Sequence, residues 1–338
     1  MASRHASARS IANPVRGLTA EGSGEFRAHS LSLPAEAAGL RFDQALARAL
    51  PQYSRARLKT WIESGAVQVD GRPLRAKDRV LGGEQVRIQA QLPAQRQVQA
   101  EPMPLAVVFR DRAMLVIDKP AGLVVHPGAG NLRHTLQNAL LALDPRLALV
   151  PRAGMVHRLD KDTSGLLVIA RTPETHTVLS AALAARQVTR EYLALCSGVM
   201  TGGGTIDEPI GRHRTLRTRM AVRGDGREAI THYRIERRFR AHTLVRVSLQ
   251  TGRTHQIRVH LAHIGYPLVG DPVYGGRRRV PSGCSPDLAE ALRTFPRQAL
   301  HAARLGLAHP VTGRALQFQA LLPQDMQRLI ETLAADCA

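Results

Sequence analysis

The chain is sparing with cysteine, with acids and with long apolar runs, and each shortage excludes something. Its 338 residues contain 3 cysteines, Cys196, Cys284 and Cys337, which lie far apart and form no CxxC pair. A disulfide framework and a cysteine-rich zinc site are therefore not expected, and a reducing compartment, the cytoplasm, fits. No stretch approaches the ~18 apolar residues of a membrane span, so no membrane role is expected. Neither GxGxxG nor a Walker A loop occurs, which argues against a bound nucleotide cofactor. Acids number 27 against 47 Lys plus Arg, a formal charge of +20. That surplus predicts a polyanionic partner, most simply nucleic acid. Lysine is scarce as well: Lys59, Lys77, Lys119 and Lys161 are all there are, and Arg supplies the rest. A GC-rich genome would explain Arg in place of Lys, together with the abundant Ala, but not the excess of bases over acids.

What is present organises into four stretches. Residues 1–20 carry Arg4, Arg9 and Arg16, several Ser and no acid. No apolar segment follows Met1, so a secretory signal is not expected. An organellar transit peptide is a superficial likeness. Residues 1–38 read instead as a disordered basic tail. From about residue 39, Phe42, Leu46, Ala49 and Leu50 recur at helical spacing up to Pro51. Ser54 is the expected cap of a second helix, with Leu58, Trp61 and Ile62 on one face and Gly65 at its end. Val67 and Val69 alternate into an Asp70-Gly71 turn, and Val86 and Ile88 alternate after Gly82-Gly83. Residues 41–88 hold ten Lys/Arg against five Asp/Glu. A solvated charged face is the ordinary reading of such a helix pair; a small RNA-binding module at 39–90 is the functional one.

Residues 91–104 are rich in Gln, Ala and Pro and read as a linker. The remainder, 105–338, has the size of a catalytic domain. Strand patterns occur at 107–109, 115–117, 166–169, 192–195, 231–235, 244–249, 302–307 and 316–321. Helices are expected at 135–143, 174–186, 254–264 and 323–334. Strands follow strands more often than helices, which predicts an α+β domain with a mixed, mostly antiparallel sheet.

Two polar clusters stand out. His157-Arg158-Leu159-Asp160-Lys161-Asp162-Thr163-Ser164-Gly165 precedes a four-residue apolar strand, a good location for function, although taken alone it is also a plausible solvated turn. Thr251-Gly252-Arg253-Thr254-His255-Gln256-Ile257-Arg258-Val259-His260 is the second, with Thr254 as the expected helix cap and His260 and His263 on one face. A metal site is not expected there: HExxH is missing, and no acid completes a ligand set before Asp271.

The first cluster closely resembles the signature loop of the RluA-type pseudouridine synthases. The resemblance continues through Asp118-Lys119-Pro120-Ala121-Gly122, Arg190-Glu191-Tyr192, Gly252-Arg253-Thr254-His255-Gln256-Ile257-Arg258 and Leu268-Val269-Gly270-Asp271. It covers the whole of 105–338, and residues 41–88 resemble the S4 RNA-binding domain carried by many members. Val125-His126-Pro127-Gly128-Ala129-Gly130-Asn131 and Gly270-Asp271-Pro272-Val273-Tyr274-Gly275-Gly276 are most similar to the D type, which acts on large-subunit ribosomal RNA.

The resemblance implies isomerisation of uridine to pseudouridine in RNA by a monomer, with no cofactor and no metal. It makes Asp160 the carboxylate that attacks C1′ or stabilises the charge developing there. Attack at the base or a glycal route remain open alternatives. It makes Arg258 the cation beside Asp160, where desolvation alone would disfavour the anion; phosphate binding is the other role open to Arg258. Tyr192 becomes the active-site tyrosine, stacking on uracil or moving a proton. Leu268 becomes an apolar pocket residue near the base. His157 and Arg158 become substrate-binding, with Arg158 filling the space left by an extruded base. Independently of the resemblance, residues 210–240 hold ten Arg against three acids, and Arg212, Arg214 and Arg217 are candidate phosphate contacts. Two other readings stand beside this one: a glycosidase-like hydrolase using Asp160 and Asp162, and a non-enzymatic RNA-binding assembly factor.

Overall fold

The helical spacing over residues 42–62 produces two short helices whose apolar faces meet. In the computed structural model, which describes residues 26–50, 53, 55–91, 98–128, 131–216, 218–276 and 280–336, these are α1 (Phe42–Ala49) and α2 (Arg55–Glu63). Phe42, Leu46, Leu58, Trp61 and Ile62 are buried together with Val67, Val86 and Ile88. The sheet of this unit contains β1 (Phe26–Ser32), β2 (Val67–Val69) and β3 (Gln85–Gln91), ordered β1-β3-β2 and antiparallel throughout. Asp70 and Gly71 both take positive φ, 47° and 78°, and Val69 and Arg72 exchange both backbone hydrogen bonds around them. The turn is there, but β2 finds its partner in β3, beyond a loop, rather than in the residues that follow directly.

The chain divides into two compact units at residues 97/98. Two expected boundaries need correction. Residues 26–32, assigned to the tail, form β1, because every residue of the segment pairs with β3. Residues 98–104, assigned to the linker, belong partly to the second unit: Asn138 Nδ2 donates to the Gln99 carbonyl, and the Glu101 amide donates to the Asn138 carbonyl.

The second unit is built on a nine-stranded sheet. Its strands are β4 (Ala106–Arg110), β5 (Met114–Lys119), β6 (Ser164–Ala170), β7 (Thr189–Ser197), β8 (Gly204–Asp207), β11 (Ile230–Arg238), β12 (His242–Leu249), β13 (Leu300–Ala308) and β14 (Ala315–Gln319). A separate two-stranded ribbon joins β9 (Ile210–Arg212) to β10 (Met220–Val222). The order β4-β5-β6-β13-β7-β12-β11-β8, with β14 on β13, is antiparallel except where β13 meets β6 in parallel. Helices α3 (Leu136–Leu143), α4 (Pro173–Ala184), α5 (Gln256–His263) and α7 (Gln324–Ala335) fall where the periodicity predicts. Helix α6 (Pro286–Thr294) was not anticipated; Ser285 caps it through the Leu288 amide, and Leu288 and Leu292 bury its i,i+4 face. The mixed α/β class is as expected.

Strand β6 explains the placement of the first polar cluster. All seven of its residues are buried, as in a central strand covered on both faces. A rigid strand thus begins at Ser164, and the loop feeding it is held at its end.

Candidate active site

The loop carrying Asp160 is anchored from below by backbone contacts. Lys119, at the end of β5, is fully buried, and its Nζ donates to the carbonyls of Pro120, Leu123 and Lys161 at 2.7, 3.1 and 2.8 Å. Three protons meet three acceptors, which ties the loop to β5. Burial lowers the Lys119 pKa to about 8, with Asp162 and Asp160 pulling the other way. On the far side, Arg297 Nη1 donates to the Asp162 carbonyl at 3.1 Å, and Gln298 Nε2 donates to Thr163 Oγ1 at 3.1 Å.

Asp160 emerges from this frame toward α5. Arg258 Nη1 donates to Asp160 Oδ2 at 3.0 Å. The opposite edge of the same guanidinium meets Asp271, Nε to Oδ2 at 2.8 Å and Nη2 to Oδ1 at 2.9 Å. The planar fork thus fits a carboxylate bidentately on one side and leaves one nitrogen for Asp160. Asp271 is itself fixed by the amides of Val273 and Tyr274, which donate to Oδ1. Burial opposes the charge on Arg258, but its bonds to Asp271 and Asp160 outweigh that and raise its pKa. Burial likewise pushes Asp271 up, and the Arg258 contact more than reverses it. The Tyr274 ring lies 5.1 Å from the guanidinium carbon. Its hydroxyl accepts from the Met220 amide and bonds His255 Nδ1 at 2.8 Å. His255 Nε2 stands 3.9 Å from Asp160 Oδ1.

Helix α5 does not start as expected. Its N-cap is His255, not Thr254, and His255 sits in the left-handed region at φ 57°, ψ 19°. Gln256 closes the turn instead, its Oε1 accepting from the Arg253 amide and from Thr251 Oγ1. A non-glycine residue held there is strained by about 1–3 kcal/mol, a kind of strain that concentrates at functional sites.

A cavity of about 810 Å³ opens over Asp160. Tyr192, His157, Arg158, Arg190, His255 and Arg258 all line it. Asp160, Tyr192, Arg258, Arg158 and His157 are thus brought together around one cavity. Tyr192 is buried in β7, which raises its pKa; Arg190 works against that rise and Asp160 adds to it. His157 is not a cation: burial, then the charge of Arg190, lowers its pKa to about 3, and Nε2 accepts from the Val168 amide.

Three expected substrate contacts lie elsewhere. Leu268 is packed in the core, with its backbone bridged to Cys196, and is absent from the cavity wall. Arg212 and Arg214 are exposed on and beside the ribbon; Arg214 borders a separate concavity with His213, Arg223 and Asp225. Arg217 lies outside the described residues. Conversely, Lys119, Arg190, His255, Asp271 and Tyr274 help to build the site, although the motifs that contain them assign them no role. His260 is a buried structural residue bonded to Thr231 and to the Glu208 carbonyl. No group of three or more metal-ligating side chains occurs among the described residues.

With this geometry described, comparison with known proteins places the chain in a family. The RNA pseudouridylate synthase family matches residues 113–263, and the S4 domain family matches residues 40–86. The chain belongs to the RluA-type pseudouridine synthases and is an RNA-modifying isomerase. "Ribosomal large subunit pseudouridine synthase D" of Xanthomonas campestris pv. campestris is 54% identical over 306 residues, covering 90% of this chain and 92% of that protein. Its namesake in Pseudomonas aeruginosa is 55% identical over 304 residues, 90% and 95% of the two chains. Among solved structures, "Human RNA Pseudouridylate Synthase Domain Containing 4" superposes with a TM-score of 0.53 at 27% identity, over 68% of this chain and 93% of that one. No helix among the described residues is long and apolar enough to cross a membrane.

Proposed function

We propose that the chain converts uridine to pseudouridine in large-subunit ribosomal RNA, as a cytoplasmic monomer without a cofactor, with Asp160 as the carboxylate that engages the ribose. The observation that carries this is the Asp160 carboxylate at the cavity floor, 3.0 Å from an arginine that is itself clamped by Asp271. The relatives named above supply the RNA class. The reaction breaks C1′–N1 and forms C1′–C5 within one nucleotide, so its balance calls for no oxidant, reductant or carrier.

The division of labour follows from chemistry. Asp160 meets the positive charge at C1′ as N1 departs, or forms a bond there. Arg258 keeps a fixed counter-charge beside it. Tyr192 offers its ring to the detached uracil. Arg158, exposed at the cavity wall, takes the space of the extruded base, an extrusion that costs about a few kcal/mol.

The hydrolase alternative needs two carboxyl groups flanking the bond. Asp162 does not line the cavity, and Asp271 is sealed against Arg258. Among the described residues that line the cavity, only Asp160 bears a carboxylate, which favours isomerisation.

The test is RNA carrying tritium at uracil C5. Isomerisation releases tritium from an intact chain, hydrolysis releases free uracil, and a mere binder does neither. Asp160→Asn is expected to lower turnover by about 10⁴-fold or more, as loss of a nucleophile does elsewhere, while RNA binding persists. Turnover at the wild-type rate would remove Asp160 from its role.

A further inference from the structure

Among the described residues lining the cavity, Arg190 is the one buried arginine that no carboxylate answers. It sits on β7, where Arg190, Tyr192 and Ala194 alternate on the buried face. Residues two apart on a strand point the same way, about 7 Å from each other. Arg190 therefore stands one step along the same wall as Tyr192. Its side chain is 9% exposed at the residue level, and its Nε is buried with no hydrogen-bond partner among the described residues.

The nearby carboxylates are engaged elsewhere. Glu191 points to the other face, toward Arg246 and Arg304, and Asp160 is held by Arg258. The other cavity arginines differ. Arg186 pairs with Glu228, Arg253 donates to the Glu228 carbonyl, and Arg152 and Arg158 are exposed. Room has been left for the Arg190 head: a Cβ on Gly252 would stand 2.8 Å from Nη1. A buried guanidinium without an anion is costly, and the cost persists until something supplies one. An RNA backbone carries an anion at every nucleotide, and a guanidinium fork suits phosphate oxygens.

We propose that Arg190 binds a backbone phosphate flanking the target uridine, so that the free protein holds an uncompensated charge which the substrate neutralises as its base reaches Tyr192. This rests on the isomerase reading above and adds a subsite to it. Arg190 is a binding residue in this scheme, and its neutral neighbour His157 adds no competing charge.

The scheme makes stability and function move in opposite directions. Arg190→Met keeps the length of the side chain and removes the charge. Its Tm in phosphate-free buffer is expected to equal or exceed that of the wild type, while kcat/KM on RNA falls roughly 10- to 100-fold, the range of one charge-assisted hydrogen bond. Arg190→Lys keeps the charge without the fork and should lie between the two in kcat/KM. The second arm uses RNA with one methylphosphonate at either linkage flanking the uridine that the wild type modifies. One of the two substitutions should slow the wild type to the level of Arg190→Met, and it should slow Arg190→Met no further. Three results would overturn the proposal: a Tm several degrees below wild type for Arg190→Met with recovery in Arg190→Lys, an unchanged kcat/KM, or losses that multiply. Failure of the wild type to release tritium would instead refute the isomerase reading, so the two failures are distinct.

Discussion

At the scale of single residues, the site depends on side chains whose charge is fixed by what surrounds them. Asp271 orients Arg258, Arg258 holds Asp160, and none of the three has freedom to turn away. His301 shows the same dependence on environment at the base of the loop. Its Nδ1 bonds Ser164 Oγ at 3.0 Å, and burial lowers its pKa to about 4, with the Ala320 backbone pulling the other way. The unfolded chain takes up this proton first as pH falls below about 6.5. The unfolded state then binds more protons than the native one, so stability falls with pH through this window and levels off below about 4. We expect His301 to account for about 3 kcal/mol of the loss at pH 4. His301→Asn, which keeps a polar atom opposite Ser164, should flatten the acid limb of urea midpoints between pH 6.5 and 4. An unaltered limb would show that His301 does not carry it.

Legibility in the sequence also differed by residue. Asp160 and Arg258 were legible because each sits in a long motif with a chemical reason for its type. Asp271 was quoted but given no role, because its contact with Arg258 spans 13 residues of sequence and depends on the turn at Val273 and Tyr274. His255 gave no warning of its left-handed backbone, since Thr254 beside it has the chemistry of a cap. Leu268 was misplaced because an apolar residue next to a motif reads equally as pocket or core.

At the scale of elements, the loop between Met155 and Ser164 and strand β6 behave as one piece. Gly165 has φ 113° at the point where β6 and β13 run in parallel, and a Cβ there would strike the Ala302 backbone. Gly165→Ala is expected to cost about 3 kcal/mol or more, from overpacking and an unsuitable φ together. Chemical denaturation measures the loss, and turnover should fall with it because Asp160 lies five residues before Gly165. A cost under 1 kcal/mol would mean that the sheet yields there. The strands of this unit were legible because their apolar runs are long and unbroken, as in Leu166–Ile169. Strand β1 was missed because FRAHSLS has few apolar residues, and its pairing with β3 is a long-range contact.

At the scale of the whole molecule, the chemistry lies in one unit while the positive charge is spread over both. Every residue lining the cavity belongs to the unit beginning at Val98, while residues 41–88 carry ten basic against five acidic side chains. The second unit has its own core and should fold without the first. A protein consisting of residues 98–338 is expected to release tritium from RNA at near the full-length maximal rate, with KM raised about tenfold or more. Its affinity should also fall less steeply with salt, because fewer phosphates are neutralised. Equal KM and equal salt slope for the two proteins would assign the grip on RNA entirely to the catalytic unit.

The sheet order has a consequence for biosynthesis. Strand β13 is made more than a hundred residues after β6 and β7 yet lies between them. Until Leu300–Ala308 leaves the ribosome, the nascent sheet exists as two fragments, each with an unprotected edge open to wrong pairing. A message truncated before that point would yield a chain carrying Asp160, Tyr192, Arg258 and Asp271 but lacking the central strand that joins their supports. In such a chain nothing would hold the Asp160 loop, which leads into β6, against Tyr192 on β7.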